Sequence, residues 1–236
     1  MTGSPHPSFW RYTALIAIKD LRIEGRSREV LYTMGFSAAL VVLVFSFALA
    51  SATDPAQGPI TAAGVLWAAT LFTGTVALAR VLDRERENES IRSLLLSPAP
   101  RAAIYAGKLI ATSTLMLAVE ILLTVLVGVL FSAGVFAHLG WLALVLVLGT
   151  LGFASTGVVF SAALLRSRSR EALLGALLFP IVIPVLLAAS RATACLFDPL
   201  SPDLEPVAFW TRFLLATDVI YIALGLWVFE PVVSGE

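Results

Sequence analysis

The sequence predicts an all-α membrane protein in which six transmembrane helices follow an N-terminal amphipathic interfacial helix. Hydrophobic residues make up 58% of the 236 residues, charged residues make up 14%, and the mean hydropathy is +0.91. Soluble domains carry about 25% charged residues, so a soluble fold of this size would leave too much apolar surface in water. Six long apolar segments and a one-sided distribution of basic residues complete the argument.

Each apolar segment is long enough to cross a bilayer as a helix. About 20 residues are needed, because each residue rises about 1.5 Å and the hydrocarbon core is about 30 Å thick. Residues 1–29 are predicted to form a cytoplasmic tail with an elbow helix, and residues 30–236 to form the transmembrane domain. The polar stretch 191–206 is predicted to be an extracytoplasmic loop or half-helix. The expected spans are 30–50, 60–82, 102–131, 138–165, 172–189 and 207–229.

The basic residues predict the orientation. All but two of the 16 Lys and Arg residues precede the first span or lie in or beside the loops after spans two and four. The exceptions are Arg191 and Arg212. Since Lys and Arg are retained on the cytoplasmic side, both termini and both basic loops are expected to be cytoplasmic. The formal net charge is zero, which gives no sign of nucleic-acid binding.

The segment before the first span has the pattern of an amphipathic helix at the membrane surface. One set of residues recurs at helical spacing as an apolar face, and a second, charged set lies on another face. Two interpretations are open: a basic anchor that determines topology, or an elbow helix that moves with a partner. The apolar set is Phe9, Tyr12, Ile16 and Ile23, and the charged set is Lys19, Arg22, Arg26 and Glu29.

The cytoplasmic loop 83–101 is the most informative stretch of the sequence. The charged run DRERENES (83–90) extends the second span as an exposed helix, and Asn88 or Ser90 can cap a short second helix that Pro98 stops. An apolar ridge on such a helix suits docking in a groove of another protein. The alternative is a solvated loop whose leucines rest on the membrane. The residues assigned to docking are Arg84, Glu85, Glu87, Glu89, Ile91, Leu94 and Leu95.

Two carboxylates fall in the middle of predicted spans. Glu120 lies in span three and Asp218 in span six. An ionised carboxylate at that depth costs about 2.5–3.5 kcal/mol on insertion scales, so such groups face protein or water-filled space. Two interpretations are open for each: a substrate pathway or proton relay, or an interhelical hydrogen bond. Polar residues that share span three with Glu120 are Thr112, Ser113, Thr114 and Thr124.

Helix-modifying residues occur in spans four and five. Pro180 and Pro184 each remove a helical hydrogen bond and are expected to permit a kink. Gly149, Gly152 and Gly157 allow close helix packing. Transporters use both features, and both also occur as plain packing devices.

The sequence carries no recognisable catalytic or metal motif. It has no Walker A loop, HExxH or GxSxG pattern, and its one cysteine excludes an intrachain disulfide. We therefore expect no enzyme activity and no metal site in this chain. His138 and Cys195 are interpreted as ordinary residues rather than haem ligands. If ATP energises transport, another subunit must hydrolyse it.

With these residues identified, the sequence resembles the haem exporter protein B (CcmB) family, the membrane subunit of an ABC transporter of cytochrome c maturation. The matching stretches come in the family order and cover most of the chain. One departure is ENES (87–90), where many members have an acidic residue and a glycine. The stretches are LWA (66–68) with Arg80, SLLLSPAPR (93–101), IYAGK (104–108), LGTLGF (148–153), FPIVIP (179–184), DVI (218–220) and FE (229–230).

The resemblance implies a multi-pass permease of the bacterial inner membrane that has the ABC-2-type exporter permease architecture and acts as a homodimer. It implies partners: an ABC ATPase subunit (CcmA-like) that binds ATP and seats the loop at 83–96, a haem-handling membrane protein (CcmC-like) and a haem chaperone (CcmE-like). The complex would handle haem, either by exporting it or by using ATP to release the loaded chaperone. Two alternatives are an ABC-2-type permease for a lipid or drug, and a proton-coupled secondary transporter using Glu120 and Asp218.

Overall fold

The computed structural model describes residues 9–27, 29–49, 57–87, 99–164, 170–198 and 204–234, which form seven helices and no strand. The last six helices each contain a segment long and apolar enough to span a membrane. The prediction of an all-α membrane protein with one helix before six spans is therefore confirmed. The helices are α1 (Phe9–Ser27), α2 (Glu29–Leu49), α3 (Gly58–Glu87), α4 (Arg101–Leu130), α5 (Leu139–Ala163), α6 (Arg170–Phe197) and α7 (Leu204–Ser234).

The fifth span is longer than the sequence indicates. The prediction of a loop or half-helix from residue 191 is wrong for residues 191–197, which continue α6, and α7 already begins at Leu204. The last turns of α6 are held by the bundle: Thr193 is fully buried, and the indole Nε1 of Trp67 in α3 donates to its hydroxyl at 2.9 Å. Arg191 is exposed, so packing the end of α6 against the bundle does not bury its charge.

Helix α5 forms the centre of the bundle. It contains no charged residue and is apolar on every side, which is the pattern of a helix surrounded by protein. It packs against α3, α4, α6 and α7. The remaining helices expose many large hydrophobic side chains, as expected for surfaces that contact lipid.

The glycines of α5 permit this close packing. A Cβ atom at Gly149 would overlap the ring of Trp67, and one at Gly157 would overlap the side chain of Leu78, both in α3. At Gly152, a Cβ would lie 2.9 Å from Val185 Cγ1 in α6. Small residues at helix contacts let the backbones approach, because nothing fills the space between them. The prediction that these glycines serve close packing is confirmed.

Aromatic and backbone contacts identify the two ends of the bundle. At one end, Tyr105 near the start of α4 and Phe229 near the end of α7 have ring centroids 5.5 Å apart. The Tyr105 hydroxyl also donates to the carbonyl of Ser155 in α5 at 3.2 Å. At the other end, the N–H of Gly134, between α4 and α5, donates to the carbonyl of Phe197 at 3.2 Å. The start of α4 and the end of α7 therefore share one end.

A tyrosine of α7 supports the proline-containing part of α6. Pro180 and Pro184 both lie inside α6. Since Pro184 has no N–H, the carbonyl of Pro180 loses its helical donor. At the next residue, the carbonyl of Ile181 accepts the hydroxyl of Tyr221 at 2.8 Å. A neighbouring helix thus supplies a donor to the proline region, which is how prolines are tolerated in spans.

Candidate functional site

Helix α1 packs directly on the first turns of α4. Gly107 makes this possible, since a Cβ there would lie 2.8 Å from Ile16 Cβ and 2.9 Å from the carbonyl oxygen of Thr13. Ile16 is buried, so the apolar face predicted for α1 contacts protein at this point. Loop 83–101 leads into α4, so α1 packs on the helix that directly follows this loop.

Both acidic residues of α1 are turned toward the bundle. Asp20 Oδ2 lies 3.8 Å from Nζ of Lys108 in α4, and its Oδ1 lies 3.0 Å from Lys19 Nζ. Glu24 is buried and accepts the backbone N–H of Leu31 at 3.2 Å. That N–H lies in the first turn of α2, where unpaired donors and the helix dipole favour a carboxylate. The two carboxylates therefore link α1 to α4 and α2.

The residues assigned to docking lie mostly outside the described part of the chain. Helix α3 continues to Glu87, eight residues past the end of its apolar span at Ala79, which agrees with a helical extension of about 12 Å. The side chains of Arg84, Glu85 and Glu87 are not described, and Glu89, Ile91, Leu94 and Leu95 fall in the undescribed segment 88–98. The docking assignment stays a prediction.

Glu120 is held in the core between three helices. It is only 1% exposed, and Oγ1 of Thr150 in α5 lies 2.6 Å from its Oε2. Its neighbour is therefore a threonine of α5 rather than the residues that share its own helix. The signal in the sequence was Thr150 in the GTLG run, the first hydroxyl-bearing residue of α5 after a long apolar stretch.

A narrow crevice between α3 and α4 lies beside Glu120. Thr70, Thr73 and Gly74 of α3 line one side, and Met116, Val119 and Leu123 line the other with Glu120. The gap has no room for a water molecule in this conformation. Among the described residues, no hydrogen-bond partner is found for Oε1 of Glu120 or for the hydroxyls of Thr70 and Thr73.

The two crevice threonines differ from Thr114 and Thr211, although Thr124 of α4 resembles them in having no hydrogen-bond partner among the described residues. The hydroxyls of Thr114 and Thr211 bond to the carbonyl four residues earlier in their own helices, both at 2.7 Å. Those of Thr70 and Thr73 make no such bond within the described structure. Their oxygens thus lie beside Glu120 in the same crevice.

Asp218 occupies a second buried position. It is 2% exposed on α7, and a Cβ at Gly152 of α5 would lie 2.6 Å from its Oδ1. Neither carboxylate oxygen has a hydrogen-bond partner among the described residues. Gly152 thus provides the space that this carboxyl group fills.

The structure does not bring the two carboxylates into one site. Glu120 contacts Thr150, and Asp218 contacts Gly152, two residues further along α5. Two residues correspond to about 200° around an α-helix, so the carboxylates lie on opposite faces of α5. The backbone of α5 separates them.

His138 and Cys195 are both only partly buried. His138 precedes α5 without a side-chain capping bond, and Cys195, the one cysteine of the sequence, is half-buried in α6. Within the described ranges, no group of three or more His, Cys, Asp or Glu side chains could hold a metal ion.

Comparison with known proteins identifies the family. The family model described as CcmB protein matches residues 11–232, which is nearly the whole chain. A similar protein is the heme exporter protein B of Haemophilus influenzae, which is 29% identical over 174 residues. That similarity covers 73% of this chain and 76% of the relative. The matched region contains the first five spans in full and all but the last residue of the sixth, and the chain belongs to the CcmB protein family.

Proposed function

We propose that the chain is the membrane permease subunit of an ABC transporter that serves cytochrome c maturation. The observation that carries this proposal is the family match over residues 11–232, together with a relative named heme exporter protein B. Haem is then the cargo of the complex rather than a cofactor of this chain. ATP hydrolysis drives either haem export or release of a haem-loaded chaperone.

The energy for this cycle comes from a separate ATPase subunit. The sequence has no Walker A loop, so this chain cannot cradle nucleotide phosphates in that way. Loop 83–101 is the contact in this proposal, because it carries an apolar ridge at Ile91, Leu94 and Leu95 after a charged helical lead. The long α3 carries that lead beyond the membrane-spanning part.

In this proposal, the chain lies in the bacterial inner membrane with both termini in the cytoplasm. The end of the bundle that holds the start of α4 and the end of α7 carries the basic loops. The positive-inside rule assigns that end to the side where ATP is present. Six spans form half of such a permease, so two copies pair in the complex with a haem-handling membrane protein and a haem chaperone.

A proton-coupled secondary transporter is less consistent with the structure. That alternative uses Glu120 and Asp218 as a shared path, but they lie on opposite faces of α5. Neither contacts the other, and the crevice beside Glu120 has no room for a water molecule. A proton path between them would have to cross the backbone of α5.

The first experiment tests ATPase docking. Leu94→Asp/Leu95→Asp should abolish co-purification with the proposed CcmA-like ATPase subunit and leave membrane insertion intact, because charges on the ridge prevent its burial. Phe136→Asp is the matched control, since Phe136 is 72% exposed in the turn at the opposite end of the bundle. Retained association of the double variant would refute the docking assignment.

The second experiment tests the substrate class. Deleting the gene should remove covalently haem-bound c-type cytochromes, detected by haem stain, and the wild-type chain supplied in trans should restore them. Normal cytochromes in the deletion strain would contradict the proposal and favour a lipid or drug exporter of the same architecture.

A further inference from the structure

Helix α1 has three distinct sides. Viewed down its axis at about 100° per residue, the buried residues occupy one arc of about 100°. That arc faces the bundle and includes Ile16, which packs on Gly107 of α4. The other buried members of this arc are Thr13, Ala17 and Glu24, and the half-buried Asp20 lies among them.

The second side of α1 is apolar and not covered by the described protein. Trp10 is 73% exposed and Ile18 is 46% exposed. Together with Ala14 and Leu21 they form an arc of about 80° next to the buried side. This apolar strip borders a transmembrane bundle and has a tryptophan at its end. It is therefore suited to lie at the depth in the membrane where acyl chains meet headgroups.

The third side of α1 is basic. Arg11, Arg22 and Arg26 are all exposed and, with Lys19, occupy a further arc of about 80° that also contains the exposed Leu15. None of the three arginines forms an ion pair with another described residue. We call Arg11, Arg22 and Arg26 the basic side of α1.

The tertiary structure creates this separation of charge. In the sequence, Asp20 and Glu24 alternate with the arginines and would partly neutralise them. In the fold, Asp20 faces Lys108 and Glu24 accepts the N–H of Leu31. Asp20 also pairs with Lys19 at 3.0 Å, so among the described residues neither acidic residue of α1 pairs with Arg11, Arg22 or Arg26.

We propose that the basic side of α1 binds the headgroups of anionic phospholipids. The adjoining apolar strip enters the acyl region, and the buried side holds the helix against α4, so the arginines lie at headgroup depth. Each basic residue near an anionic membrane surface contributes about 1 kcal/mol, which is about a fivefold change in binding. An acidic protein would satisfy the arginines equally well, but it would leave Trp10 and Ile18 exposed beside the bundle. The lipid surface satisfies both sides at once.

The test measures lipid preference of the full-length protein reconstituted in mixed phosphatidylcholine and phosphatidylglycerol. Spin-labelled analogues of the two lipids report their relative association with the protein. We expect the wild type to prefer phosphatidylglycerol, and Arg22→Gln/Arg26→Gln to lower that preference by at least about fivefold. Raising salt from about 0.1 M to about 1 M should weaken the wild-type preference, because the Debye length falls from about 10 Å to about 3 Å.

Two matched variants make the result specific. Arg191→Gln/Arg212→Gln removes the same charge from exposed positions on α6 and α7 and should leave the preference unchanged. Arg22→Lys/Arg26→Lys keeps the charge and should retain it. An unchanged preference in Arg22→Gln/Arg26→Gln, or an equal loss in the α6 and α7 control, would overturn the proposal. Retained lipid preference with loss of a co-purifying protein would assign the surface to that protein instead.

Discussion

Glu120 and Asp218 lie on opposite faces of α5, although both are buried carboxylic residues within the membrane-spanning bundle. Glu120 meets Thr150, whereas Asp218 fills the space left by Gly152. The two positions on α5 are separated by about 200°. They therefore act on different helix contacts: Glu120 on the contact among α3, α4 and α5, and Asp218 on the contact among α5, α6 and α7.

Glu120 is expected to serve as an interhelical hydrogen-bonding group. Glu120→Gln keeps an oxygen that accepts the Thr150 hydroxyl, so we expect a loss of stability below about 1 kcal/mol and normal c-type cytochromes. Glu120→Ala also leaves a cavity and should cost about 2 kcal/mol or more. Thermal unfolding in detergent and haem staining measure the two effects. A folded Glu120→Gln variant that has lost cytochrome maturation would instead support an ionisable role.

Replacing Gly149 is expected to destabilise the contact of α5 with α3. A Cβ there overlaps the ring of Trp67, so Gly149→Ala must displace a buried indole and should destabilise the protein by about 1–3 kcal/mol. Gly140→Ala on the same helix is the control, since a Cβ there meets nothing within 4 Å. It should be neutral or stabilising by up to about 1 kcal/mol. Melting temperatures measured by size-exclusion chromatography after heating compare the two, and equal values would contradict the packing argument.

The Trp67–Thr193 hydrogen bond should stabilise the last turns of α6. Thr193→Val keeps the volume but leaves the indole N–H without an acceptor in a buried position, which costs about 1–3 kcal/mol. Thr217→Val is the control: its hydroxyl is exposed and bonds only to the carbonyl of Phe213 in its own helix, so a change within about 0.5 kcal/mol is expected. If both variants melt like the wild type, the indole has another acceptor.

Docking of α1 on α4 should depend on the glycine at position 107, which has no side chain to separate the two helices. Gly107→Leu forces Ile16 away and should release α1, so trypsin should cleave faster after Arg22 and Arg26. Asp20→Asn should have a weaker effect in the same direction, because it removes the anionic neighbour of the buried Lys108. Gly64→Leu is the matched control, since a Cβ there meets nothing within 4 Å. Equal cleavage of the two leucine variants would show that α1 is held by other contacts.

The sequence by itself determined the membrane class, the number of spans and the presence of a helix before them. These properties follow from local quantities, namely the length of an apolar run and the spacing of apolar residues along a helix. The same local reasoning placed a loop at residue 191, because it could not know that Thr193 would be buried against Trp67.

Only the tertiary structure decided which polar groups meet. Thr150, 30 residues from Glu120, became its hydrogen-bond donor, and Gly152 made room for Asp218. The same is true of α1, where Asp20 and Glu24 turned inward and left an outward side of arginines. A helical pattern specifies the angle at which a side chain leaves its own helix, but not the rotation of that helix against its neighbours. That rotation is set by packing, here by the glycines that let α5 approach α3, α6 and α7.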